Sequence, residues 1–298
     1  MPIVISPKAV INLSFLSIGT LMLGIHYLFP DFEVRYSYPI LFGVVISLGL
    51  VHGCLDFEIA KNTNPQSKLL NFLTNYLAQI LALSLVWLFN PQLALLIFLA
   101  CTAWHFGETD LSLFKLNVNT LVIWVYGIGI TTWLLGNHLE DNIQYIYDLG
   151  FAQPSNDFLQ TNIHQITIGL RIVALAFIGF AVYFSGLYHS KSNLVLLFAM
   201  LSITYLLPIL SAFTVYFGFW HSLHTLRLIK VDIKITTKGL FLKAAPYLVV
   251  SLIMTVLMIL GFALFNLGSE TVLLVFISSL TLPHASTMHS LLLRYRLG

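Results

Sequence analysis

Long apolar runs, each closed by a short polar or charged cluster, recur along the whole chain of 298 residues. A helix rises 1.5 Å per residue, so roughly 20 apolar residues cross the ~30 Å of a bilayer's hydrocarbon. Eight runs predict spans at about 9–29, 38–55, 69–89, 92–107, 118–136, 165–187, 244–266 and 271–291. The stretch 193–229 is too long for one straight span and has Pro208 in its middle. Basic residues decide where to cut it, because cytoplasmic loops are enriched in Lys and Arg. With Lys8 inside, Lys61, Lys68 and Lys191 also fall inside, and the acidic 137–164 loop (Glu140, Asp141, Asp148, Asp157) falls outside. A single helix over 193–229 would strand Arg227, Lys230, Lys234, Lys238, Lys243, Arg294 and Arg296 outside. Two helices, 193–207 and 209–229, return them all inside.

The expected fold is therefore an all-α, polytopic transmembrane bundle of about ten helical segments. Helix 193–207 is short or re-entrant, both termini are cytoplasmic, and residues 1–298 form one transmembrane domain. The sequence around Ile143–Phe151 is expected as an amphipathic turn or two on the outer surface. The run Ala9–Phe29 is too long for a signal-peptide core and is counted as the first span.

Composition agrees. Charged residues make up 9% of the chain and hydrophobic ones 58%, against about 25% charged in ordinary soluble domains. The net charge of +2 implies no nucleic acid partner, and the lipid bilayer is the expected surround. Two cysteines, Cys54 and Cys101, make no disulfide framework.

Four short sequences carry the candidate chemistry: His-Gly-Cys-Leu-Asp (52–56), Trp-His-Phe-Gly-Glu-Thr-Asp (104–110), Trp-His-Ser-Leu-His (220–224) and Leu-Pro-His (282–284). In the topology set by Lys and Arg alone, all four reach the cytoplasmic ends of their spans, so their histidines can converge at one depth. His221 and His224, three apart, are expected on one helix face. Neutral imidazole is the commonest metal ligand, and an all-imidazole site suits iron, zinc, copper or nickel. Asp56 is four residues after His52, and Glu108 three after His105, so each is placed to accept its own histidine's second N–H; both, with Asp110, also read as surface-loop carboxylates. Trp104 and Trp220 are candidates to line the site. His26, His138, His164 and His189 are read as packing or loop residues.

On His52-Gly53 with Asp56, His105-Phe106-Gly107, the His221/His224 pair and Pro283-His284, the chain resembles the Brp/Blh family of membrane β-carotene 15,15′-dioxygenases over essentially its whole length. The resemblance implies a non-haem Fe(2+) centre held by histidines, O2 as cosubstrate, and central cleavage of β-carotene or a related carotenoid to two retinals. It carries over His52, His105, His221 and His224 as iron ligands, with His284 lining the site. β-Carotene has no charged or hydrogen-bonding group, so it is expected to reach the site from the membrane, here the inner (plasma) membrane.

Rival classes leave different marks. A di-iron desaturase needs HxxxH and HxxHH patterns, and an intramembrane zinc protease needs HExxH; neither pattern occurs. A bis-histidine haem protein would show a Soret band. A metal or ion transporter is the main non-enzyme alternative, but no carboxylate sits in mid-span. An opsin-like retinal binder needs a mid-helix Lys, and every lysine lies in a loop or at a span end.

Overall fold

Backbone immersed in hydrocarbon must close its own hydrogen bonds, and this chain does so by winding into helices, with no strand among the described residues. The structure, a computed structural model, describes residues 7–114, 116, 118–148, 157–263 and 269–297. In chain order the helices are α1 (Pro7–Leu28), α2 (Pro30–Thr63), α3 (Leu69–Phe89), α4 (Pro91–Leu113), α5 (Thr120–Gly136), a short α6 (Ile143–Asp148), α7 (Asp157–Ser185), α8 (Lys191–Leu206), α9 (209–232), α10 (Thr237–Ala263) and α11 (Ser269–Leu297). Five of them, α1, α2, α3, α7 and α10, are long and apolar enough to cross a membrane. The molecule is an all-α bundle of a membrane protein.

The cut at Pro208 is where the chain breaks. Leu207 is extended (ψ 147°) and Pro208 precedes the first turn of the next helix, where its missing N–H costs nothing. The second span starts earlier than expected, at Pro30, and runs through Pro39. The expected surface turn forms as α6, while residues 149–151 lie outside the described ones. Helix α7 stops at Gly186, whose left-handed φ of 73° suits a residue without Cβ.

Two of the helices are locally underwound. Within α2, Val45–Gly49 form a π-helical turn; within α9, the π stretch runs Thr214–Ser222, between α-helical Ile209–Phe213 and Leu223–Asp232. These wide turns pack on one another. A Cβ on Gly49 would lie 2.7 Å from the Phe217 ring, and one on Gly218 would lie 2.2 Å from Val44. Only hydrogen fits at either place, so the two glycines set how near α2 and α9 come.

Helix α5 is a second seam of close approach. Its Gly127 meets α4 so tightly that a Cβ would stand 1.7 Å from the carbonyl oxygen of Ala103, while Gly107 of α4 faces the Ile123 carbonyl in the same way. On its other side Gly129 and Gly136 admit Ile178 and Leu170 of α7. Lipid offers helices no hydrophobic drive to associate, so small residues that permit backbone contact are the usual adhesive. Polar rungs add to it: Trp87 Nε1 donates to Ser278 Oγ at 2.7 Å, and Ser84 and Ser279 meet at 3.1 Å, tying α3 to α11.

Gly127→Ala is expected to destabilise the bundle by about 2–3 kcal/mol or more, because the added methyl meets backbone that cannot yield. Gly24→Ala, where nothing lies within 4 Å, is expected to be neutral or slightly stabilising through helix propensity. Thermal unfolding midpoints of both variants in detergent check the contrast; equal midpoints would refute it.

Candidate metal centre

Three of the four histidine motifs meet at a point. His52 of α2, His105 of α4 and His221 of α9 each offer a ring nitrogen, all within 4.8 Å of one another, and all three residues are buried. His105 Nε2 and His221 Nε2 stand 3.1 Å apart. Two imidazole nitrogens bound to one ion at about 2.1 Å lie roughly 3.0–3.4 Å apart at octahedral to tetrahedral angles. That pair is therefore already at the separation of shared ligands. His52 donates from Nδ1 to the Leu48 carbonyl at 3.2 Å, which leaves its Nε2 as the nitrogen with a free lone pair.

The fourth ring in the cluster is His284. Its centroid is 4.6 Å from that of His52 and 5.0 Å from that of His105, both edge-on. Its Nδ1 lies 2.9 Å from Asp56 Oδ1, and Tyr76 donates its O–H to Asp56 Oδ2 at 2.9 Å. His284 Nε2 is buried with no hydrogen-bond partner among the described residues. A buried imidazole nitrogen without a partner costs about 1–3 kcal/mol, and an ion removes that cost.

His224 lies elsewhere. Its ring packs edge-on against Trp220 at 4.9 Å, and it does not line the cavity that the other four share. The expectation that His221 and His224 share a face assumed an α-helix. In the π stretch each turn takes in an extra residue, since hydrogen bonds run i→i+5. A three-residue step across its end then no longer returns to the same side.

The carboxylates are also assigned differently from the local spacing. Asp56 turns to His284 and not to its helical neighbour His52, whose proton goes to Leu48. Glu108 meets His289 Nδ1 at 2.7 Å and not His105. All three carboxylates, Asp56, Glu108 and Asp110, are buried, so the surface-loop reading does not hold. Trp104 packs on Trp124 and His289, and Trp220 on Phe15 and Phe114, so neither lines the cavity. Tyr76 went unnoticed in the sequence because nothing in its local spacing links it to Asp56, 20 residues earlier.

Asp110 does a different job. Trp220 Nε1 donates to it at 2.9 Å, Tyr216 O–H at 3.1 Å and Tyr126 O–H at 3.3 Å. One fully buried carboxylate thus joins α4, α5 and the π stretch of α9, and so fixes the segment that carries His221. The motif glycine Gly107 serves the same end by letting α4 reach α5.

The four clustered imidazoles sit in the wall of a cavity of about 400 Å³, within the range of small-molecule sites. Phe106 and Phe217 flank His221, with ring centroids 4.8 and 5.9 Å from its own. Of the charged residue types only Asp56 is among the lining residues, and it is engaged by His284 and Tyr76.

Among comparisons with known proteins, a family model described as Beta-carotene 15,15'-dioxygenase matches residues 43–291. The matched stretch includes all four clustered histidines and most of the bundle. No curated protein and no solved structure matches.

Asp110→Ala leaves three buried donors without their acceptor, each worth about 1–3 kcal/mol. It is expected to lower the thermal midpoint far more than Asp110→Asn, which keeps one carbonyl oxygen. Equal midpoints for the two variants would show that the three donors find other partners.

Proposed function

Because the chain belongs to the beta-carotene 15,15'-dioxygenase family, we propose that it cleaves the central double bond of β-carotene with molecular oxygen to give two molecules of all-trans-retinal. One C=C bond and one O2 become two C=O bonds, so no outside reductant is consumed. The observation that carries this reading is the apolar cavity with His52, His105, His221 and His284 in its wall.

The donor set fits a transition metal. Imidazoles suit iron, zinc, copper or nickel, and of these the reaction calls for a redox-active ion, taken here as Fe(2+). We assign it to His52, His105, His221 and His284, so that the fourth place passes from His224 to His284. Iron held there would supply the activation of molecular oxygen. The chain's own residues do the rest. The Leu48 carbonyl and the Asp56 carboxylate hold His52 and His284 in one tautomer each, which orients their other nitrogens inward. The apolar lining keeps water away and holds the polyene's central bond beside the imidazoles. The faces of Phe106 and Phe217 stabilise cationic character along the polyene, as aromatic rings do for other cations.

In this reading the protein is a multi-pass protein of the inner (plasma) membrane with both termini cytoplasmic. Single cysteines at 140–142 are expected to react with reagent from outside the cell, and those at 234–236 only in opened membranes. Labelling of both from outside would overturn the topology.

Expression in β-carotene-producing bacteria tests the activity: the orange colour should fade as retinal accumulates. Ala substitution at His52, His105, His221 or His284 is expected to remove most bound iron and the activity, whereas His224→Ala keeps the iron. Asp56→Asn is expected to weaken iron retention about 10–100-fold without abolishing it, as loss of an orienting partner does. Full iron in purified His284→Ala, or none in folded His224→Ala, would return the fourth place to His224.

A further inference from the structure

The cavity that reaches the buried histidines is lined at its other end by side chains on the outer surface of the bundle. Leu77 of α3 and Val250 and Met254 of α10 all line it, yet they are 49%, 59% and 41% exposed. His105 and His221, in the same cavity, are 2% and 0% exposed. One continuous space therefore runs from the surface to the imidazoles. The two helices at its mouth are the least buried of the candidate spans, with 11% of each apolar window covered by protein. Faces so apolar and so uncovered by protein suit a surround of lipid.

Near the Asp56–Thr63 segment of α2 the cavity wall is aromatic. Phe57, Phe72, Tyr76 and Tyr247 form a chain of ring contacts between α2, α3 and α10, with centroids 5.4 to 6.5 Å apart. The Lys243–Glu58 ion pair joins α10 to α2 beside them. Beyond the band, the gap between α3 and α10 is bordered by Leu77, Ile80, Val250 and Met254, side chains with no polar atom to hold a water-borne ligand.

We propose that the gap between α3 and α10 is a lateral portal that takes an elongated, uncharged polyene directly from the bilayer to the histidine cluster. The proposal rests on the carotenoid reading above and says where that substrate passes. Its occupant is a dissolved hydrocarbon of the membrane interior. The lining offers little to a charged ligand, because its one side chain of a charged type, Asp56, is engaged by His284 and Tyr76.

Full-length, iron-loaded protein in liposomes containing β-carotene tests this in two ways. Leu77→Trp and Val250→Trp narrow the mouth. Leu85→Trp and Val249→Trp add the same bulk at exposed positions on the same helices that do not line the cavity. The portal variants are expected to lose about tenfold or more in kcat/KM, with kcat at saturating carotene and iron content unchanged, as for a change that acts before the chemical step. The control variants should match the unmodified protein. Separately, a photoreactive benzophenone side chain at 77 or 250, but not at 85 or 249, is expected to capture the carotene. Capture does not need turnover, so it reads the portal even if the chain proves not to cleave β-carotene. Portal variants with the kinetics of the controls, or capture of phospholipid acyl chains alone, would overturn the proposal.

Discussion

In hydrocarbon there is no water to take up a stray hydrogen bond, so every polar group a membrane helix carries must find its partner inside the bundle. The structure is arranged around that requirement. Asp110 gathers three donors from two helices, Trp87 and Ser84 reach α11, and Ser211 donates to Glu33 Oε1 at 2.6 Å. Each of these links also fixes the distance between two helices. The buried atoms without a partner among the described residues include His284 Nε2, His105 Nδ1 and His221 Nδ1 in the cavity wall, both ring nitrogens of His224, and several hydroxyls such as those of Thr102 and Thr109. His105 and His221 also face each other through Nε2 at 3.1 Å, a contact in which only one of the two can donate. An ion at the centre would relieve the facing nitrogens.

The distortions of the helices serve the same meeting. A regular α2 and a regular α9 would present their side chains every 100°, and packing would decide which ones met. The π turns widen both helices at matching heights, and Gly49 and Gly218 remove the side chains that would hold them apart. His52 follows one π turn directly and His221 lies within the other. His284 follows Pro283, whose missing N–H removes a rung from the backbone ladder of α11. Three of the four clustered histidines thus sit at local departures from α geometry, while Pro39 and Pro246 mark others in α2 and α10.

Much of this was legible in advance. Apolar run lengths and the placement of Lys and Arg located the spans, and the choice to divide 193–229 at Pro208 matches the break at Leu207. His52, His105, His221 and His284, one from each motif, converge on one cavity, as the four motifs had suggested, while His224 does not. What could not be read was anything that depends on turn width or on partners far along the chain. The step from His221 to His224 reads as one face only if the helix is α, and no local pattern marks the π stretch. Asp56 and His284 are 228 residues apart, so helical spacing pointed Asp56 to His52 instead. Glu108 was drawn to His105 by the same reasoning and meets His289. Local periodicity reports which face a residue occupies, whereas the identity of its partner is decided by how whole helices dock.

The π stretch of α9 also makes the number of residues in that helix as important as their identity. A π turn holds one residue more than an α turn over nearly the same length. Losing a single residue from Thr214–Ser222 would let one of its turns relax to ordinary winding, so the helix would narrow there while the segments before and after the loss kept nearly their relative orientation. The change would be felt at the facing turn of α2, where Phe217 meets Gly49 and Gly218 meets Val44. A change in residue count here is therefore a change in the local width of α9, and that width is what sets its fit against α2.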